Sequence, residues 1–162
     1  MKHLKLTLFI LAASVSGVWA QSVDTVAVWS QSMKKNVKNV VITPANYKTA
    51  KNERFPVVYL LHGAGGNYSN WIKKTPFLPE LASRYGMIIV CPDGNTHSWY
   101  WDSPVDTTSR YETYVSKELR EFIDKTYRTV DSREGRAITG LSMGGQGALF
   151  LAFRPLDLYG AC

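Results

Sequence analysis

The sequence predicts an α/β fold in which a mostly parallel sheet is flanked by helices. Two continuous apolar runs, residues 57–61 and 87–90, are each bounded by Gly or Pro and read as strands buried on both faces. Segments with helical periodicity follow the strands, and a third short strand over 137–141 leads directly into an apolar, Gly-rich helix over 144–153. Alternating strands and helices imply right-handed crossovers and parallel pairing. The chain has 162 residues, 45% hydrophobic and 20% charged, which excludes a disordered or collagen-like chain and supports one core.

The first twenty residues predict a secretory signal peptide. Lys2, His3 and Lys5 form a positive start, residues 6–15 a mostly apolar run, and Ala20 a small residue at the cut, so cleavage falls before Gln21. Ser14, Ser16 and Gly17 interrupt the run before it reaches the roughly twenty residues a membrane span needs. The mature chain, 21–162, is therefore expected to be secreted or periplasmic, with no membrane attachment. Loss of Lys2 and Lys5 takes the formal net charge from +6 to +4, too diffuse a charge to predict nucleic-acid binding.

The remaining elements follow in order. Val23, Val26 and Val28 alternate with polar residues, and 37–42 is a second β-branched run beyond Lys34, Lys35 and Asn36, the pattern of an antiparallel pair. A helix ends near Tyr85, with Pro76 or Pro79 in its first turn and Gly86 placed as its C-terminal cap. Ser109 and Glu112 predict a capping box ahead of a stripe of Tyr111, Tyr114, Val115, Leu119, Phe122 and Ile123. Pro155 stops the last helix. Cys91 closes an apolar run and reads as a buried free thiol, and no pairing with Cys162 is assigned.

Two stretches carry chemistry. Gly140-Leu141-Ser142-Met143-Gly144 places G-x-S-x-G at a strand-to-helix junction, where side chains at 140 and 144 would collide as strand and helix close on the serine. That turn sets Ser142 at a helix N-terminus, whose free N–H groups favour negative charge on a nearby oxygen. The second stretch, Leu60-Leu61-His62-Gly63-Ala64-Gly65-Gly66, leaves the C-terminal end of a buried strand, and its glycines let main chain approach a substrate carbonyl. The amides of Ala64 and Met143 are the candidate oxyanion donors. Neither a metal-ligand cluster, a phosphate loop nor a dinucleotide fingerprint is present in the sequence, so no metal or cofactor is expected.

LLHGAGG-x4-W (60–71) together with GLSMGGQGA (140–148) resembles the esterase D-like branch of the α/β-hydrolases. That branch includes S-formylglutathione hydrolases, acetyl and feruloyl esterases acting on plant polysaccharides, and mycobacterial mycolyltransferases. The resemblance runs from about residue 37 to 162. It implies the N-terminal part of an α/β-hydrolase domain, Ser142 as nucleophile, and Ala64 and Met143 as oxyanion donors. Residues 91–104 are similar to a family segment bordering the active site.

The family order places an acid and then a histidine after the nucleophile. Here His3, His62 and His97 all precede Ser142, and Asp157 follows it too closely to be the family's acid. Residues 158–162 resemble the start of the family's next strand. The expectation is therefore a longer enzyme truncated after the nucleophile helix, nearly inert as this chain alone. Export disfavours a cytoplasmic thiol ester, which leaves a carboxylic ester, acetyl or feruloyl on plant polysaccharide, as the expected substrate. Trp99 and Trp101, flanking Tyr100, offer flat faces for a sugar or ferulate ring. An acyltransferase, or a non-catalytic carbohydrate-binding protein on a degenerate hydrolase scaffold, is the alternative. The oligomeric state is not legible.

Overall fold

In the computed structural model the described residues are 21–154 and 157–162. The predicted leader, 1–20, and the helix-stopping Pro155 lie outside them.

Strands β1 (Ser22–Ser30) and β2 (Lys35–Thr43) form the expected antiparallel hairpin, with Val28 opposite Val37. Strand β2 then pairs antiparallel with β4 (Ile88–Pro92), which lies parallel to β3 (Val57–Leu61), and β3 lies parallel to β5 (Arg136–Gly140). The order across the sheet is β1-β2-β4-β3-β5. The chain therefore carries a mixed sheet, antiparallel at one side and parallel where the serine motif emerges. Beyond β5, Ala161 bridges Ala137 in parallel, with the Ile138 N–H donating to the Ala161 carbonyl at 3.1 Å.

Burial on both faces explains the unbroken apolar runs. Val41, Val57, Tyr59, Leu61, Ile88 and Val90 face one core, while Val40, Ile42, Ile89 and Cys91 face the other. The second core is closed by α2 (Leu78–Tyr85) through Leu78 and Ala82. Pro79 sits in the first turn of α2, and Gly86 ends it in the left-handed conformation, φ 59°, as the sequence predicts. A short helix, α1 (Asn70–Lys74), precedes it.

The first core is closed by two longer helical stretches. One is continuous: α3 (Tyr111–Thr113), a π turn over Tyr114–Leu119, and α4 (Arg120–Thr126). Its stripe is core, with Tyr111, Tyr114, Val115, Leu119 and Ile123 buried. The capping box predicted for Ser109 and Glu112 does not form. The Ser109 N–H donates to the Asp106 carbonyl, and Glu112 instead pairs with Arg154 at 3.1 Å. Asp102, held beside Arg110 by an isolated bridge, takes the cap from outside the helix, accepting the Thr113 N–H at 3.0 Å and its hydroxyl at 2.5 Å. A local spacing rule cannot see a cap supplied across a loop.

The other stretch is α5 (Met143–Phe153), which packs on β3 and β5 through Met143, Ala148 and Leu151. Both cysteines are free: Cys91 is buried and Cys162 exposed. Among the described residues no helix is long and apolar enough to cross a membrane, and no group of three metal-ligating side chains gathers.

Candidate active site

Strand β5 runs in register with β3 so that Gly140 lies opposite Leu61, and the chain turns sharply within two residues. Ser142 is the N-cap of α5 with φ 55° and ψ −117°. A non-glycine residue in this region carries strain on the order of 1–3 kcal/mol, held only because its surroundings over-determine it. The two glycines of the motif are that surrounding. A Cβ at Gly140 would lie 2.5 Å from the Gly144 carbonyl carbon, and one at Gly144 would lie 2.6 Å from the Leu61 carbonyl carbon. Only hydrogen fits at either position, so the turn can close and leave Ser142 exposed at its tip.

The glycine-rich loop after β3 meets this turn. A Cβ on Gly63 would stand 3.5 Å from the Ser142 Cβ and 3.2 Å from the Leu141 carbonyl oxygen. The Leu141 N–H donates to the Leu61 carbonyl at 3.3 Å, tying the two segments together. Neither the Ala64 nor the Met143 amide has an acceptor among the described residues. Ala64 lines the cavity beside Ser142, and Met143, the first residue of α5, has its amide at the positive end of that helix.

His62 is buried and cannot serve as the proton acceptor for Ser142. Its Nε2 accepts the Gly94 N–H at 2.8 Å, so the ring proton resides on Nδ1, which donates to the Gly63 carbonyl at 2.9 Å. Both nitrogens are spent on backbone. The ring therefore shapes the loop, and the Asp93 carboxylate, 4.0 Å from Nε2, is outside hydrogen-bond range. His97 borders a different cavity, and Asp157 is exposed in the turn after α5.

Ser142 opens into a cavity of about 390 Å³. Its walls include Ala64 and Leu141, and α1 contributes Asn70, Trp71 and Lys74. The Trp71 indole N–H donates to the Leu61 carbonyl at 3.0 Å, fixing the ring against the loop strand. Trp71 is the tryptophan of LLHGAGG-x4-W, and its spacing from the glycine-rich loop is the one sequence signal for its place in this wall. Trp99 and Trp101 do not line this cavity. They border a separate one of about 320 Å³ with His97 and Asp102, and Trp101 also walls a groove of about 660 Å³, where its ring stands 5.5 Å from that of Phe150.

The family described as "Putative esterase" matches residues 30–162. The chain belongs to this esterase family. It is 33% identical over 127 residues to an acetyl esterase of Caldicellulosiruptor saccharolyticus, a match covering 75% of this chain and 47% of the relative. It is 30% identical over 149 residues to an endo-1,4-beta-xylanase/feruloyl esterase of Xylanibacter ruminicola, covering 86% of this chain and 20% of that protein. Among solved structures, a ferulic acid esterase superposes with a TM-score of 0.78 at 28% identity, over 88% of this chain and 59% of the other. An S-formylglutathione hydrolase from Agrobacterium tumefaciens gives 0.72 at 26% identity, over 86% and 55%. The fold is thus that of the α/β-hydrolases, in part: the chain spans about half or less of the curated relatives it matches.

Proposed function

We propose that this chain carries the nucleophile half of an exported serine esterase, acting on acetyl or feruloyl esters of plant polysaccharide. The observation that carries the reading is the strained Ser142 turn, closed by Gly140 and Gly144 and abutted by Gly63. In this reading Ser142 Oγ attacks the ester carbonyl, and the Ala64 and Met143 amides receive the charge that develops on its oxygen. The acyl-enzyme forms as the alcohol leaves with a proton, and water then releases the acid.

The substrate class rests on the predicted export and on the acetyl and feruloyl esterases among the relatives. Trp71 flanks the acyl group in the cavity beside Ser142, while Trp99 and Trp101, which line separate depressions, pack the sugar part of a polymeric ester.

Proton transfer is the weak step for the chain alone. His62 has both nitrogens engaged, and among the described residues no other histidine borders the serine cavity. Losing the base of a serine triad costs on the order of a millionfold. The test is hydrolysis of p-nitrophenyl acetate by the chain and by Ser142→Ala, each with and without added imidazole as an external base. The reading expects negligible Ser142-dependent turnover without imidazole and a clear Ser142-dependent increment with it. Equal rates for both proteins in imidazole would contradict it.

A further inference from the structure

Tyr100 is fully buried although Trp99 and Trp101 on either side are 42% and 45% exposed. Its ring occupies a slot between the loop after β4 and helix α5, a slot that two glycines create. A Cβ at Gly147 would lie 2.5 Å from the ring, and a Cβ at Gly94 would overlap its other edge. The backbone reaches this position at a cost: Trp99 and Tyr100 have φ 55° and 60°, two adjacent non-glycine residues in the left-handed region. Ser98 helps hold it there, its hydroxyl accepting the Tyr100 N–H at 3.0 Å.

A ring needs none of this merely to fill space, because Phe would fill the same slot without burying a hydroxyl. The hydroxyl has a specific task. It accepts the His62 N–H at 3.0 Å and donates to the His62 carbonyl at 3.3 Å, so one oxygen holds both backbone polar groups of residue 62. The His62 side chain is gripped by Gly94 and Gly63 in turn. Two residues beyond His62 is Ala64. Burial raises the phenol's pKa, which keeps its proton in place for donation.

We infer that Tyr100 is a positioning residue whose hydroxyl, by holding the backbone of His62, sets where the Ala64 amide points relative to Ser142. The inference rests on the proposed reading of that amide as an oxyanion donor. Misplacing such a donor by about 1 Å costs roughly a hundredfold in rate.

The experiment compares the full chain with Tyr100→Phe by amide NMR and hydrogen exchange, and by the rate of fluorophosphonate labelling at Ser142 in imidazole buffer. The expected result is faster exchange at His62, moved resonances for Gly63 and Ala64, unmoved ones for the core residues Leu119 and Ile123, and labelling about ten- to a hundredfold slower. Unchanged Ala64 resonance and labelling would overturn the inference, as would shifts spread equally through the core, which would make Tyr100 a packing residue only. Should the variant not fold, the unaltered chain decides. A His62 amide protected like the core amides supports the pin, whereas one exchanging as fast as those of the exposed 104–108 loop overturns it. If the unaltered chain never labels at Ser142, the esterase reading fails separately, and the amide measurements still judge the hold of Tyr100 on the loop.

Discussion

Gly144 and Leu61 approach so closely that a single methyl group on residue 144 would stand 2.6 Å from the Leu61 carbonyl carbon. This contact locks the first turn of α5 onto the end of β3, and the position of Ser142 follows from it. Gly144→Ala must therefore push the helix off the strand. Overpacking of this kind costs about 1–3 kcal/mol, and the serine turn takes the displacement. The expected outcome is a lower thermal midpoint with Ser142 labelling by a fluorophosphonate in imidazole reduced a hundredfold or more. Gly145→Ala is the contrast: its Cβ would meet only the Gly140 carbonyl, at 3.3 Å for the oxygen, and Ala is the better helix former. There the Gly140 oxygen has to give by only a few tenths of an ångström, so that variant should lose far less midpoint and labelling than Gly144→Ala.

A second prediction concerns the foot of β5. The Arg136 guanidinium, almost fully buried, donates to Asp124 at 2.8 Å and to the Leu158 carbonyl at 3.0 Å. Asp124 also accepts the Thr129 hydroxyl. Removing the carboxylate leaves a buried cation without its partner, which typically costs about 3–5 kcal/mol. Asp124→Ala should lower stability by that order in urea unfolding. A loss under about 1 kcal/mol would mean that the pair is solvated like a surface ion pair.

The two cysteines should differ sharply in reactivity. Burial pushes the Cys91 thiol up to about 12, so the folded chain holds that proton to higher pH than the unfolded chain does. Stability from this group is whole below the unfolded thiol's range and is lost as pH rises towards about 12. At pH 8 a disulfide-exchange reagent should modify one thiol per folded chain, Cys162, and the second only on unfolding. Rapid modification of both in the folded chain would contradict the burial of Cys91.

Much of this architecture was legible because it depends on local pattern. The hairpin, the two doubly buried strands and Gly86 at the end of α2 each follow from residue type and spacing within one segment. The serine turn was legible for the same reason, since the steric need for glycine at 140 and 144 is contained in five residues. What escaped depends on partners distant in sequence. Asp102, not Ser109, caps the 111–126 helix because a loop folds back onto it. Trp71, not Trp99 or Trp101, lines the serine cavity because α1 packs beside the glycine-rich loop. Tyr100, embedded in an aromatic run, turns inward between two exposed tryptophans, and only the glycine slot explains why.

The placement of Trp71 gives a fourth prediction. Trp71→Ala should enlarge the serine cavity and weaken binding of ferulate to the chain by about tenfold, consistent with the loss of one well-packed aromatic wall. Trp101→Ala should leave ferulate binding nearly unchanged while weakening binding of a xylo-oligosaccharide. Isothermal titration of each ligand against each variant checks both halves, and the reverse pattern would reassign the two surfaces.

The central claim is that Ser142 is a nucleophile, and peptide mass spectrometry of the chain after treatment with a fluorophosphonate in imidazole buffer tests it most directly. A single phosphonylated site, Ser142, is expected, with labelling lost in Ser142→Ala and unaffected in Ser132→Ala, an exposed serine remote from the serine turn. An unmodified Ser142 peptide, or adducts scattered over exposed serines at equal rates, would contradict it.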